Sequence, residues 1–160
     1  VFTLPSVIKV GDYTLYHDAQ YTVNSAQVIN EVRLNANITE IGENAFGRGN
    51  YVIKNNSTQA DDIATFNNVT SIGNAAFYLM TKPQKLRFSA NLKSIGGNAF
   101  TCLDTTFDVY IDKTDALQDV QANSFGDASS TTIIHVPAGS ALYTQLTGQG
   151  MDCRNRVQTI

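Results

Sequence analysis

Ile41-Gly42-Glu43-Asn44-Ala45-Phe46, Ile72-Gly73-Asn74-Ala75-Ala76-Phe77 and Ile95-Gly96-Gly97-Asn98-Ala99-Phe100 are three copies of one phrase. Val120-Gln121-Ala122-Asn123-Ser124-Phe125 is a worn fourth, with Gln in place of Gly and Ser in place of Ala. Self-similarity at a coarse, regular interval marks a protein built of stacked repeats. Such arrays mostly present binding surfaces, so the pattern argues against an enzyme before any single residue is weighed.

The interval sets the kind of repeat. Successive phrase phenylalanines are separated by 31 positions (Phe46 to Phe77), 23 (Phe77 to Phe100) and 25 (Phe100 to Phe125). Leucine-rich-type repeats run about 20–29 residues, so the 31-residue interval reads as one repeat carrying an insertion, placed in the polar stretch 55–62. An apolar residue stands three positions before each phrase: Ile38, Val69, Leu92 and Leu117. Short alternating segments come earlier still, at Val32-Arg33-Leu34, Tyr51-Val52-Ile53, Leu86-Arg87-Phe88, Val109-Tyr110-Ile111 and Ile134-His135-Val136. Alternation in runs this short signals strands that must stack coil on coil, about 4.8 Å per step, into a narrow parallel sheet. The predicted fold is a mostly β repeat protein, a short solenoid of right-handed coils.

Each position of the phrase has a physical reading. Ile41, Ile72, Ile95 and Val120 point inward with Phe46, Phe77, Phe100 and Phe125, each stacking on its equivalents in the next coil. Gly42, Gly73 and Gly96 mark a corner that needs either positive φ or close backbone approach. Ala45, Ala76 and Ala99 are small where the coil is thin, and Asn44, Asn98 and Asn123 are placed to hydrogen-bond backbone at the bend.

The whole of 1–160 reads as a single domain. Residues 1–30 differ from the rest: Val7-Ile8-Lys9-Val10, Gly11-Asp12 and Tyr13-Thr14-Leu15-Tyr16 read as a β-hairpin cap, with Tyr21-Thr22-Val23 as a further strand. The repeats occupy 31–138, and 139–160 forms a C-terminal cap of a short helix around Leu142, Tyr143 and Leu146 and a last strand over 157–160.

Composition sets limits. The chain has 160 residues, 42% hydrophobic and only 16% charged, with net charge −3. No basic excess is present to neutralise phosphates, so nucleic acid is not an expected partner. No apolar run approaches the roughly 20 residues that span a bilayer, so no membrane insertion is expected within this segment. The chain opens on Val1, which reads as a processed or excised segment, a start compatible with prior removal of a signal peptide. Cys102 and Cys153 are equally compatible with a bridge and with two buried thiols.

The spaced pattern apolar-x-x-Ile-Gly-x-x-Ala-Phe resembles the BspA-like, or Treponema pallidum-type, leucine-rich repeat over roughly residues 31–138. The tail Ile134-His135-Val136-Pro137-Ala138-Gly139-Ser140, followed by Tyr143, is similar to the way such domains finish. The resemblance implies a bacterial or protist protein, at the cell surface or secreted, that adheres to a host or extracellular protein or to another cell. Departures are visible: the family often carries Cys a few residues after the Phe, and only Cys102 is near that position. Two alternatives stay open, a structural spacer within a longer surface protein and a glycan-binding module.

The chain has no P-loop, no nucleophile elbow and no His-Glu-x-x-His, and neither catalytic residues nor cofactors nor a metal are expected. Asp108, Asp112, Asp115 and Asp119 form the densest acidic run but lack calcium-loop spacing. Asn37-Ile38-Thr39, Asn55-Asn56-Ser57-Thr58 and Asn68-Val69-Thr70 fit the glycan-acceptor pattern, a match that arises easily in an Asn- and Thr-rich chain. The sheet face gives the sharper expectation. With Val32, Leu34, Leu86, Phe88, Val109, Ile111, Ile134 and Val136 inward, Arg33, Arg87, Tyr110 and His135 point outward in one column, joined by Val52 in the second coil. A second column reads Asn35, Lys54, Ser89 and Asp112. Arg, Tyr and His suit a binding face, although any solvated sheet face also needs polar residues. Tyr13, Tyr16 and Tyr21 form a rival surface.

Overall fold

The computed structural model describes residues 1–4, 6–17, 29–55 and 63–160. Its strands are β1 (Phe2–Leu4), β2 (Lys9–Val10), β3 (Glu31–Leu34), β4 (Glu40–Ile41), β5 (Val52–Asn55), β6 (Ala64–Phe66), β7 (Ser71–Ile72), β8 (Gln84–Phe88), β9 (Ser94–Ile95), β10 (Phe107–Ile111), β11 (Asp119–Val120), β12 (Thr132–Val136) and β13 (Val157–Thr159), with one α-helix, α1 (Ala141–Thr147). They form three parallel sheets in the orders β1-β3-β5, β13-β12-β10-β8-β6 and β11-β9-β7-β4-β2. Strands from successive coils pair in parallel within each sheet, as expected of a chain that winds around a shared interior.

The interior is a ladder of equivalent side chains. Phe46, Phe77, Phe100 and Phe125 are each fully buried and stack in order, with ring centroids 5.2, 5.1 and 5.5 Å apart and interplanar angles of 8–12°. A second column pairs Phe66 with Phe88 at 5.6 Å. Phe107 turns its edge toward Phe77 and Phe100 and ties the columns together. Ile41, Ile72 and Ile95 are buried as a third column. Val120, at the edge of its sheet, is only half-buried.

The corner glycines work by close approach. A Cβ on Gly73 would lie 2.6 Å from the backbone of Gly42 and Glu43, and one on Gly96 would lie 2.5 Å from the Asn74 amide. The left-handed backbone falls two residues later, at Asn44 (φ 50°), Ala75 (52°) and Asn98 (56°). Asn suits that region better than other side-chain-bearing residues. The Asn44 and Asn98 side chains bond Glu43 and Thr101 side chains, and no backbone bond from either amide group is present among the described residues.

The N-terminus differs from the expected hairpin. β2 pairs in parallel with β4, placing Val10 beside Ile41, and β1 pairs in parallel with β3. Residues 13–17 then hang their amides on the coil above: Tyr13 on Glu43, Leu15 on Ala45 and His17 on Gly47, at 2.7–3.0 Å. Val10-Gly11-Asp12-Tyr13-Thr14-Leu15 is therefore a degenerate copy of the phrase, with Tyr13 left-handed (φ 54°) where later coils have Asn or Ala. The physical reason is that a stacked coil satisfies its backbone through its neighbour, whereas a hairpin would leave the Ile41 rung unpaired. The expected strand over 21–23 lies outside the described residues.

The second coil also departs from the simple reading. Its strand is split, β5 continuing the sheet from β3 and β6 continuing the sheet to β8. Two side-chain amides fill the gap. Gln84 accepts from the Ile53 amide at 3.0 Å and donates to the Tyr51 carbonyl at 2.8 Å. Asn55 brackets Thr65, donating to its carbonyl at 2.8 Å and accepting from its amide. Residues 56–62, most of the expected insertion, lie outside the described residues.

At the far end, α1 starts at Ser140, whose hydroxyl accepts from the Tyr143 amide at 3.0 Å. Leu142 and Leu146 are buried against the last coil, and β13 adds to β12 in parallel. Arg156 clasps this end, its guanidinium donating to the carbonyls of Phe125, Thr132, Gly126 and Asp127 at 2.8–3.0 Å.

Candidate functional site

Alternation in β8, β10 and β12 sends Leu86, Phe88, Val109, Ile111, Ile134 and Val136 into the core, each fully buried. The residues between them must face outward. Register then decides which of these meet. Arg87 lies opposite Tyr110, and Tyr110 opposite His135; Thr65 and Gln158 extend the same row on either side.

Contacts within the row are close. The Arg87 guanidinium carbon lies 5.2 Å from the Tyr110 ring centroid, within cation–π range. The Tyr110 and His135 rings stack at 4.2 Å with only 9° between their planes. His135 Nε2 stands 2.8 Å from Asp108 Oδ1, and their side chains are 13% and 16% exposed. Asp112 approaches Arg87 Nε at 3.8 Å, too far for a hydrogen bond, and that buried nitrogen has no hydrogen-bond partner. The row thus places a guanidinium, a phenol and a largely covered imidazole, all half-buried, at successive strands of one sheet.

Arg33 does not join this row. It lies opposite Thr3 and Lys54 in the β1-β3-β5 sheet and donates to its own neighbour Glu31 at 2.6 Å. Val52 lies opposite Glu31, so it belongs to neither row, and Lys54 moves into the Arg33 row. The cause is the split second coil. The sequence places one strand there, whereas the chain uses two.

The Asp108–His135 contact goes beyond the outward column that the sequence spacing predicts. Its signal was the shared parity of Asp108 and Tyr110 on β10, which puts the carboxylate on the same face. Asp108 and Asp112 are drawn to His135 and Arg87, and among the described residues no group of three or more His, Cys, Asp or Glu is placed to hold a metal ion. Tyr13 and Tyr16 meet edge to face at 5.6 Å, with the Tyr13 hydroxyl on Glu43 at 3.1 Å. Tyr21 lies outside the described residues. Cys102 and Cys153 are both free and buried. No described helix is long and apolar enough to cross a membrane.

A family model described as a BspA type leucine rich repeat region matches residues 48–145, in 6 copies. No curated protein and no solved structure matches the chain.

Proposed function

The chain belongs to the BspA-type leucine-rich repeat family, and on that premise we propose that it is a non-catalytic interaction module at the cell surface or in secreted form. Its task in this reading is adhesion-type binding of an extracellular or host protein, or of another cell. The observation that carries the reading is the Arg87–Tyr110–His135 row. Arg87 and Tyr110 are residue types favoured at binding hot spots, and Tyr110 touches both Arg87 and His135 on the outer face of the sheet. Mutual stacking restrains their rotamers before a partner arrives, which lowers the ordering cost of association.

The charge pattern refines the reading. Arg87 is flanked by Asp112, and His135 by Asp108, so the face carries mixed charge. Such a face favours a partner with alternating donors and acceptors, as a folded protein surface has, over a uniformly charged polymer.

The test is a screen of the intact domain against immobilised matrix proteins and, separately, glycans, followed by the double variant Arg87→Ala/Tyr110→Ala. Affinity for a protein partner should fall by more than about 2 kcal/mol, with circular dichroism and Tm unchanged. Retained affinity in a folded double variant would reject this face. Capture by glycans alone would replace the protein partner with a carbohydrate one.

A further inference from the structure

A cleft of about 540 Å³ lies away from the sheet face, at the loops that follow the repeated phenylalanines. Its lining comes from four successive coils: His17, then Arg48 and Asn50, then Leu79 to Thr81, then Leu103 and Asp104. None of the row residues contributes to it. A smaller hollow of about 320 Å³ adjoins it and shares Arg48 and Leu103 as its wall.

Three features make this cleft more than a gap between loops. First, Arg48 is an exposed cation whose side chain has no hydrogen bond and no ion pair among the described residues. Second, its position is pinned. Its backbone is left-handed (φ 57°) and its amide donates to the Tyr78 carbonyl at 2.6 Å. The glycines on either side fit only because they lack Cβ: one on Gly47 would meet the Tyr16 ring at 2.9 Å, and one on Gly49 the Tyr51 ring at 2.6 Å. Third, Arg48 shares the lining with apolar residues. Leu103 is one of the few large hydrophobic residues left exposed, at 42%, and Leu79, also left-handed (φ 51°), stands beside buried Met80. Asn50 and Thr81 are joined by a 2.9 Å hydrogen bond, which stiffens the rim between them.

We propose that this cleft is a second docking site, for an extended peptide segment that carries one carboxylate beside a bulky apolar side chain. The carboxylate pairs with Arg48, and the apolar side chain covers Leu79 and Leu103. Charge complementarity selects this occupant. An unpaired guanidinium beside apolar lining favours a carboxylate, and Asp104, also in the lining, disfavours a second one. The volume lies in the range of small binding clefts and admits a side-chain pair rather than a folded surface. The site is independent of the sheet-face row and stands or falls separately from it.

The test is an NMR titration of the isotope-labelled full chain with the tetrapeptide acetyl-Gly-Phe-Glu-Gly-amide and its Gln and Lys analogues. The Glu peptide should shift the amides of Arg48, Leu79, Thr81 and Leu103, and the two analogues should bind roughly tenfold more weakly or worse. Arg48→Asn should cause the same loss for the Glu peptide, because Asn keeps the left-handed backbone while removing the charge. Arg48→Lys should retain most of the binding. Arg87→Ala/Tyr110→Ala should leave it unchanged. Equal binding of the Glu and Gln peptides, shifts located elsewhere, or no shifts at all would each overturn the proposal.

Discussion

The hydroxyl of Ser124 stands between the carbonyl of Ile95 and the amide of Gln121, donating to the first at 2.9 Å and accepting from the second at 2.9 Å. In the earlier coils the corner glycine makes that link directly: Gly42 to Val10, Gly73 to Ile41 and Gly96 to Ile72, at 2.7–2.9 Å. The fourth copy has lost its glycine and its alanine together, and the two losses compensate. A Cβ at the corner forces the coils apart, and a hydroxyl at the neighbouring position fills the space and restores the hydrogen bond. Ser124→Ala should therefore cost about 1–3 kcal/mol, since it strands the buried Ile95 carbonyl and removes the partner of the part-buried Gln121 amide. Adding Gln121→Gly should recover part of that loss by letting the direct bond re-form. A double-mutant cycle by urea denaturation measures the coupling; strictly additive effects would contradict this account.

Corner and bend make opposite demands, and adjacent substitutions separate them. Gly73→Ala drives a methyl into the Gly42–Glu43 backbone and should destabilise by about 1–3 kcal/mol. Ala75→Asn, two residues on, should stabilise by roughly 0.5–1 kcal/mol, because Ala75 is left-handed (φ 52°) where Asn44 and Asn98 already serve. Thermal unfolding of the two variants beside the parent gives both signs in one experiment.

These positions also show what the sequence made legible. Ile, Gly, Ala and Phe recur because each meets its own equivalent one coil away, so spacing alone announced the solenoid and its aromatic column. Arg87, Tyr110 and His135 could be aligned for the same reason, since their strands pair without interruption. Arg33 could not. Its sheet ends at Asn55, and the insertion shifts the chain to a new strand whose start, Ala64-Thr65-Phe66, carries only a weak alternating signal. The first coil is masked in the sequence because Val10, Thr14 and Leu15 replace Ile, Ala and Phe, although Gly11 and the spacing are intact. The Arg48 cleft left no trace in the sequence. It is a property of loops from four coils brought side by side.

Phe77 sits between Phe46 and Phe100 and also receives the edge of Phe107. Phe77→Ala would leave a cavity bounded by rings that are themselves held in place by the stack, so little collapse is available. A loss of about 3–5 kcal/mol follows. Phe66→Ala, whose ring has a stacked partner on one side only, should cost less. Chemical denaturation of the pair ranks them, and a loss below about 1 kcal/mol at Phe77 would be incompatible with a common aromatic interior.

Both thiols are held protonated by burial. Cys102 is pushed up from 9.0 to about 12 and Cys153 to about 11, desolvation being the main cause in each. In the unfolded chain both ionise near their ordinary value. Above about pH 9 the unfolded state therefore releases protons that the native state keeps. The native state binds more protons there, so stability falls as pH rises and stops falling, for these groups, once both folded values are passed. Urea midpoints should hold steady from about pH 6 to 8 and decline above about pH 9, and Cys102→Ala/Cys153→Ala should make the alkaline decline shallower. The same burial keeps the thiolate fraction negligible near neutrality, so a disulfide-exchange reagent should label neither cysteine in the native protein and both after unfolding. Rapid labelling of either thiol in the folded chain would show that the stack opens far more readily than its packing requires.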